Sequence, residues 1–146
     1  MQLTHELVSD IIRRGIDAGL KRNFQIAVAV VDGHGRERGV VRHDDALYVT
    51  PELAVGKARL ASAYRNSTGA MFARLQKERP LYGASVASLN DRNDWFLAEG
   101  GMAIVLKQGD KEVCVGAIGV SGCFPATVDQ EIADELVQWV KSQAST

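Results

Sequence analysis

Residues 26–42 read IAVAVVDGHGRERGVVR, and this stretch decides the fold. Gln25 to Asp32 is apolar on both alternating faces, the mark of a strand covered on two sides. Asp32-Gly33-His34-Gly35 is a turn signal, and Arg36–Arg42 follows as the return strand of a hairpin. Ahead of it, Leu7, Val8, Ile11, Ile12, Ile16 and Leu20 recur at helical spacing, with Thr4 as N-cap and Gly19 near the end. Behind it, Thr50-Pro51-Glu52 starts a second helix with a capping hydroxyl, a proline at the first helical position and an acid in the first turn. That helix runs to about Tyr64 and is rich in small residues (Ala54, Gly56, Ala58, Ala61, Ser62, Ala63). Such residues allow close approach to a sheet, another helix or a flat ligand.

Farther along, Ser67-Thr68 caps a short helix that ends before Pro80. Leu81 to Asp94, rich in Gly, Ser and Asn and without periodicity, reads as loop. Met102–Leu106 and Val113–Val120 read as strands joined at Gln108-Gly109-Asp110-Lys111. Thr127 and Gln130 give a capping-box pattern before a last helix with Ile132, Leu136, Val137 and Val140 on one side. The order helix, hairpin, helices, hairpin, helix predicts an α+β domain with an antiparallel sheet.

The chain has 146 residues, which suits one domain over 1–146 at roughly 100–200 residues per domain. Its 46% hydrophobic and 24% charged residues argue against a disordered or fibrous chain. No apolar run approaches the roughly 20 residues of a membrane span. The start lacks a basic-then-apolar signal region, and two cysteines make no disulfide scaffold. The expectation is a soluble, cytoplasmic protein with no membrane partner. The net charge of −1 hides an asymmetry: residues 1–80 carry 13 Lys/Arg against 9 Asp/Glu, and residues 81–146 carry 4 against 9. Residues 56–79 hold six bases and only one acid, Glu78, which is either an anion-facing surface or a solvated face balanced elsewhere. Nucleic acid is not the expected partner, because the chain is not basic overall and shows no aromatic-basic pattern.

HExxH, CxxC, a Walker loop and a GxSxG elbow are all absent, so no metal site is expected from motif. Three clusters carry candidate chemistry. Arg42-His43-Asp44-Asp45 ends the second strand: Arg42 can hold a carboxylate, and His43 can act as a base or as a metal or haem ligand. The alternative there is a surface ion pair with a spectator histidine. Glu99-Gly100-Gly101 leads into a strand, and its glycines allow close backbone approach by a ligand or by a packed helix. Gly119-Val120-Ser121-Gly122-Cys123 precedes the last helix, where backbone amides suit an anion and Cys123 could become a thiolate. Cys123 could equally be a small buried hydrophobe, as Cys114 is among Val113, Val115 and Ala117.

In this order the clusters resemble the GlcG/HbpS-like family of small haem-binding and glycolate-operon-associated proteins. The matching segments are residues 27–46 (AVAVVDGHGRERGVVRHDDA), 52–68 (ELAVGKARLASAYRNST), 100–106 (GGMAIVL), 115–122 (VGAIGVSG) and 129–133 (DQEIA). The resemblance implies a profilin-like three-layer α/β/α arrangement around a five-stranded antiparallel sheet. It also implies a homo-oligomer with ligand sites near subunit contacts, and haem as a cofactor of some members. A related domain is fused to a corrinoid adenosyltransferase. This chain departs from the family pattern at His43, where a methionine is usual, at Met102-Ala103, where Ile-Pro is common, and at Cys123.

Two readings follow. In the first, the chain is an accessory or sensor protein that binds haem or another flat anion. Arg42, Asp44, Glu99, Gly100, Gly101, Ser121 and Gly122 then form the ligand site, with Arg42, Lys57 and the glycine turns holding carboxylates, and His43 or Cys123 ligates iron. In the second, it is a small enzyme acting on a carboxylated molecule. Lys57 or His43 is then the base, Arg42 the anchor, and the amides around Ser121–Cys123 stabilise negative charge. A structural or regulatory subunit without ligand is the third possibility.

Overall fold

A computed structural model describes residues 1–88 and 94–144. In chain order the elements are α1 (His5–Lys21), β1 (Ala27–Asp32), β2 (Glu37–Arg42), α2 (Thr50–Tyr64), α3 (Thr68–Glu78), α4 (Pro80–Ser88), β3 (Gly101–Gln108), β4 (Lys111–Ser121) and α5 (Thr127–Ala144). The strands form one antiparallel sheet in the order β2-β1-β4-β3. β1 is therefore internal, which is why its sequence is apolar on both faces.

The two faces are built from different residues. Val28, Val30, Ile104, Leu106, Ile118 and Val120 point to one side, where α1 and α5 cover them with Ile11, Ile12, Ile132, Leu136, Val137 and Val140. Each such aliphatic side chain contributes roughly 1.5–3 kcal/mol on full burial. Ala27, Ala29, Val31 and Ala117 point to the other side, against Ala54, Val55, Ala58 and Ala61 of α2. Alanine against alanine lets the α2 backbone sit close to the sheet. At Gly119 a Cβ would run into the Ala54 carbonyl, so the small-residue stripe of α2 is spent on the sheet.

The α+β class stands, but the five-stranded, profilin-like sheet implied by resemblance does not. Among the described residues the sheet has four strands and is open. At the edge of β3, Ser67 forms an isolated bridge to Met102. There the Ser67 hydroxyl accepts the Ala70 amide at 3.1 Å and caps α3, so the chain turns into a helix instead of running on. The loop expected over Leu81–Asp94 is helical as far as Ser88, as α4; its residues 89–93 lie outside the described residues. Two caps also differ. Thr50 donates its hydroxyl back to the Leu47 carbonyl at 2.7 Å, leaving Val49 in the N-cap position. Thr127 lies inside α5, and Gln130 uses its side chain elsewhere. Thr4 caps α1 as expected, accepting from the Leu7 amide. Among the described residues no helix is long and apolar enough to cross a membrane.

Candidate functional site

Most of the candidate residues converge where α2, β3, β4 and α5 meet. Lys57 projects from α2 and is only 3% exposed. Its Nζ donates to the Val120 carbonyl at 2.9 Å and lies 3.3 Å from Asp129 Oδ2. The other Asp129 oxygen accepts the Cys123 amide at 2.9 Å, so one carboxylate ties α2 to the turn before α5. Burial pushes the Asp129 carboxyl above its ordinary range, against the pull of Lys57. Burial also lowers the Lys57 amine, against the pull of Asp129 and, from farther off, of half-buried Glu99. Desolvation opposes both charges, and their mutual attraction with the hydrogen bonds to Val120 and Cys123 compensates it.

Gly100 and Gly101 fit this knot for a steric reason. Gly100 has φ +126°, and a Cβ there would strike the Val120 carbonyl and crowd Asp129 and Lys57 at 3.0 Å each. The Gly101 amide donates to Thr68 Oγ1 at 2.8 Å. The close approach that the glycine pair allows is thus taken by protein. Gln130 completes the knot. Its Oε1 accepts the Gly69 and Gly100 amides at 2.9 and 2.8 Å, and its Nε2 donates to the Gly101 carbonyl and to Asp134 at 3.0 and 2.8 Å. All four hydrogen-bonding sites of that amide are used.

Cys123 is 8% exposed and belongs to the apolar core. Burial, followed by the neighbouring Asp129 charge, pushes its thiol up to about 12. It is a protonated thiol at neutral pH, and the thiolate role has no electrostatic support. Ser121 is buried at the end of β4, opposite Ala27, and Gly122 turns the chain at φ +128°.

Arg42, His43 and Asp44 lie apart from the knot. Arg42 pairs with Ala27 across the sheet from Ser121, so both hairpins end at the same end of the sheet. Arg42 and Asp44 are exposed and His43 is half-buried. His43 Nδ1 accepts the Asp45 amide at 3.2 Å, so the neutral ring carries its proton on Nε2. The chain then runs through Leu47 and Tyr48, which are 73% and 84% exposed, into α2. Phe124, 88% exposed, follows Cys123 beyond the end of β4. An arginine, an imidazole and three large apolar side chains therefore share this end of the sheet. Phe124, Leu47 and Tyr48 were passed over in sequence; the clue was large apolar residues in segments without periodicity.

Asp129 and Gln130 were also missed as site residues. Asp129 reads as an ordinary first-turn acid of a helix, and only the internal cation at Lys57 gives it another meaning. Five clefts stand out on the described surface, and Lys57, Asp129 and Cys123 line none of them. The knot is closed chemistry: it ties α2, α3, β3, β4 and α5 together and opens to no cavity among these.

The family model for haem-degrading, HbpS-like proteins matches residues 3–138. The corrinoid adenosyltransferase PduO of Salmonella typhimurium is 29% identical over 128 residues, which are 88% of this chain and 35% of that protein. The chain thus spans about a third of that relative. The solved structure of PduOC in complex with haem superposes with a TM-score of 0.78 at 25% identity, over 94% of each chain. A double mutant of Streptomyces reticuli HbpS superposes with a TM-score of 0.77 at 24% identity, over 96% of this chain and 88% of that one, a likeness of fold alone.

Proposed function

Since this chain belongs to the HbpS-like family, we propose that it is a small-molecule-binding accessory or sensor protein whose ligand is haem or a similar flat, carboxylated ring. The observation that carries this reading is the exposed rim at the end of the sheet. Tyr48, Leu47 and Phe124 offer apolar surface to a ring, and Arg42 offers a fork of donors to a carboxylate. His43 presents Nε2–H as a second donor. As an iron ligand it must first move that proton to Nδ1 and give up its bond to the Asp45 amide. The rim thus suits the carboxylates of haem directly and its iron only after that exchange. Haem, when bound, supplies a redox-active iron. A homo-oligomer that faces two rims together would cover the same apolar side chains, in keeping with an exposed patch of this kind.

The acid/base reading has one observation in its favour, the lowered amine of Lys57. Against it stands closure: the buried amine is held by the Val120 carbonyl and Asp129 and lines none of the five clefts.

Titration of the full chain with haemin, beside serum albumin as a non-specific control, tests the proposal. We expect a saturable shift of the Soret band at one haemin per chain, weakened roughly tenfold in Arg42→Gln and in His43→Ala. Cys123→Ser should leave the spectrum unchanged. A broad, unsaturated, albumin-like response would overturn the proposal.

A further inference from the structure

We propose that the cleft between the end of α2 and helices α3 and α4 is a second small-molecule site, built for a flat ring that carries a phosphate. The cleft has a volume of about 390 Å³, within the range of roughly 300–1,000 Å³ typical of small-molecule pockets. Met71 and Leu75, both buried, supply its apolar floor. Tyr64 and Tyr82 stand at its rim with their hydroxyls 3.4 Å apart. Whichever hydroxyl donates in that bond, the accepting one keeps its own proton for a ligand. Arg74 and Arg79 supply the charge. The Arg79 guanidinium stacks 4.6 Å above the Tyr82 ring, which orients its planar fork while leaving the edge N–H groups unspent.

The distribution of charge singles out this cleft. Of the six bases in residues 56–79, Lys57 is consumed by Asp129, and Arg59 by the Gly35 carbonyl, Glu37 and Asp94. In the cleft beside the β1–β2 turn, Arg59 is thus already paired, with Asp94 in the same lining, and Arg65 is the arginine there that no ion pair among the described residues takes up. Among the described residues, Arg74 has the well-exposed Glu78 at 3.7 Å as its ion-pair partner, and Arg79 lies over an aromatic ring. Aromatic faces beside forked cations recognise a planar ring with an oxyanion. The fifteen residues of α2, roughly 22 Å of helix, separate this cleft from the rim at Arg42. The assignment therefore stands or falls independently of the haem proposal.

Calorimetric titration of the full chain with adenosine 5′-monophosphate and with adenosine tests it, since the two differ only in the phosphate. We expect the nucleotide to bind saturably and at least tenfold more tightly than the nucleoside. Arg74→Gln and Arg79→Gln should each cost the nucleotide roughly tenfold or more while leaving the weak nucleoside binding unchanged. Tyr82→Leu should weaken both ligands. These positions are on the surface, so each variant should keep the parental melting temperature. Saturating haemin should leave nucleotide affinity unchanged. Equal affinity for nucleotide and nucleoside, no saturation at millimolar nucleotide, indifference to both arginine variants, or displacement by haemin would each overturn the assignment.

Discussion

The knot around Lys57 and the rim around Arg42 both hold a base beside potential partners, and they use it in opposite ways. In the knot every donor and acceptor of Lys57, Asp129 and Gln130 that the structure describes is turned inward, and solvent scarcely reaches the cation. At the rim Arg42 is exposed, and the neighbouring large side chains are apolar and uncovered. A charge that is fully paired inside the fold stabilises an arrangement of elements, whereas a charge left beside uncovered apolar surface is available to a ligand. Residue type alone does not separate the two cases, because lysine, cysteine and glycine in the knot are the residues one would also choose for catalysis.

The sharpest way to break the contrast is to remove one half of the buried pair. Lys57→Met leaves the Asp129 carboxylate uncompensated and should cost about 3–5 kcal/mol in urea unfolding, whereas Lys57→Met combined with Asp129→Leu should recover most of it. A loss below about 1 kcal/mol in the single variant would mean that water reaches Asp129 and that the knot is open after all. Next in size is Gln130→Leu, which strands the Gly69 and Gly100 amides. At about 1–3 kcal/mol for each buried donor left unpaired, and less for these part-buried amides, it should lower stability by roughly 1–3 kcal/mol in all and speed hydrogen exchange at the Gly100 amide. Unchanged exchange there would show that Gln130 decorates the knot without holding it.

Why the strands were legible and the knot was not follows from the range of the forces involved. β1 announces itself locally, because burial on two faces demands apolar residues at every position from Ile26 to Val31. The capping hydroxyls of Thr4 and Ser67 act within three residues. The glycines at 100, 101, 119 and 122 were visible as exceptions, but what they approach is 20 or more residues away in sequence: Lys57, Thr68, Ala54 and Gln25. Asp129 and Gln130 take their meaning from partners 72 and 61 positions distant, which no local pattern encodes. α4 escaped notice for a related reason. Gly83, Ser85 and Ser88 weaken helix propensity, Leu81 faces solvent, and the buried contacts of α4 come from long-range neighbours such as Leu60 and Met71. The fifth strand was an inference from resemblance, and the cap at Ser67 removes it.

The pH dependence of stability offers a gentler probe of the knot. The folded Asp129 carboxyl titrates above its ordinary 3.8, chiefly because it is buried. Between those two values the folded chain binds more protons than the unfolded one. The contribution of Asp129 is therefore complete below pH 3.8 and is lost as pH rises through its folded value. Lys57, lowered from 10.5 by burial, acts the other way: its contribution is complete above pH 10.5 and is lost as pH falls through the lowered folded value. Relative to the Lys57→Met, Asp129→Leu variant, the parent should lose stability as pH climbs from 3.8, measured by urea midpoints across that window. A gain over the same window would mean that attraction to Lys57 outweighs burial and that the carboxyl is held below its ordinary value.

The smallest stability effects belong at the rim, and their smallness carries the argument. Arg42→Gln and Phe124→Ser alter exposed side chains, so each should move the unfolding free energy by no more than about 0.5 kcal/mol. If the rim is a ligand surface, the same two substitutions should still weaken haemin binding, Arg42→Gln by loss of a carboxylate donor and Phe124→Ser by loss of ring contact. Function and stability would then be separated by position: the knot would govern unfolding with little direct effect on ligand, and the rim would govern ligand with little effect on unfolding. A rim substitution that unfolds the chain, or one that leaves haemin affinity untouched, breaks that separation. The first result would make Phe124 or Arg42 part of an interface on which folding depends, and the second would mean that haemin binds away from the rim.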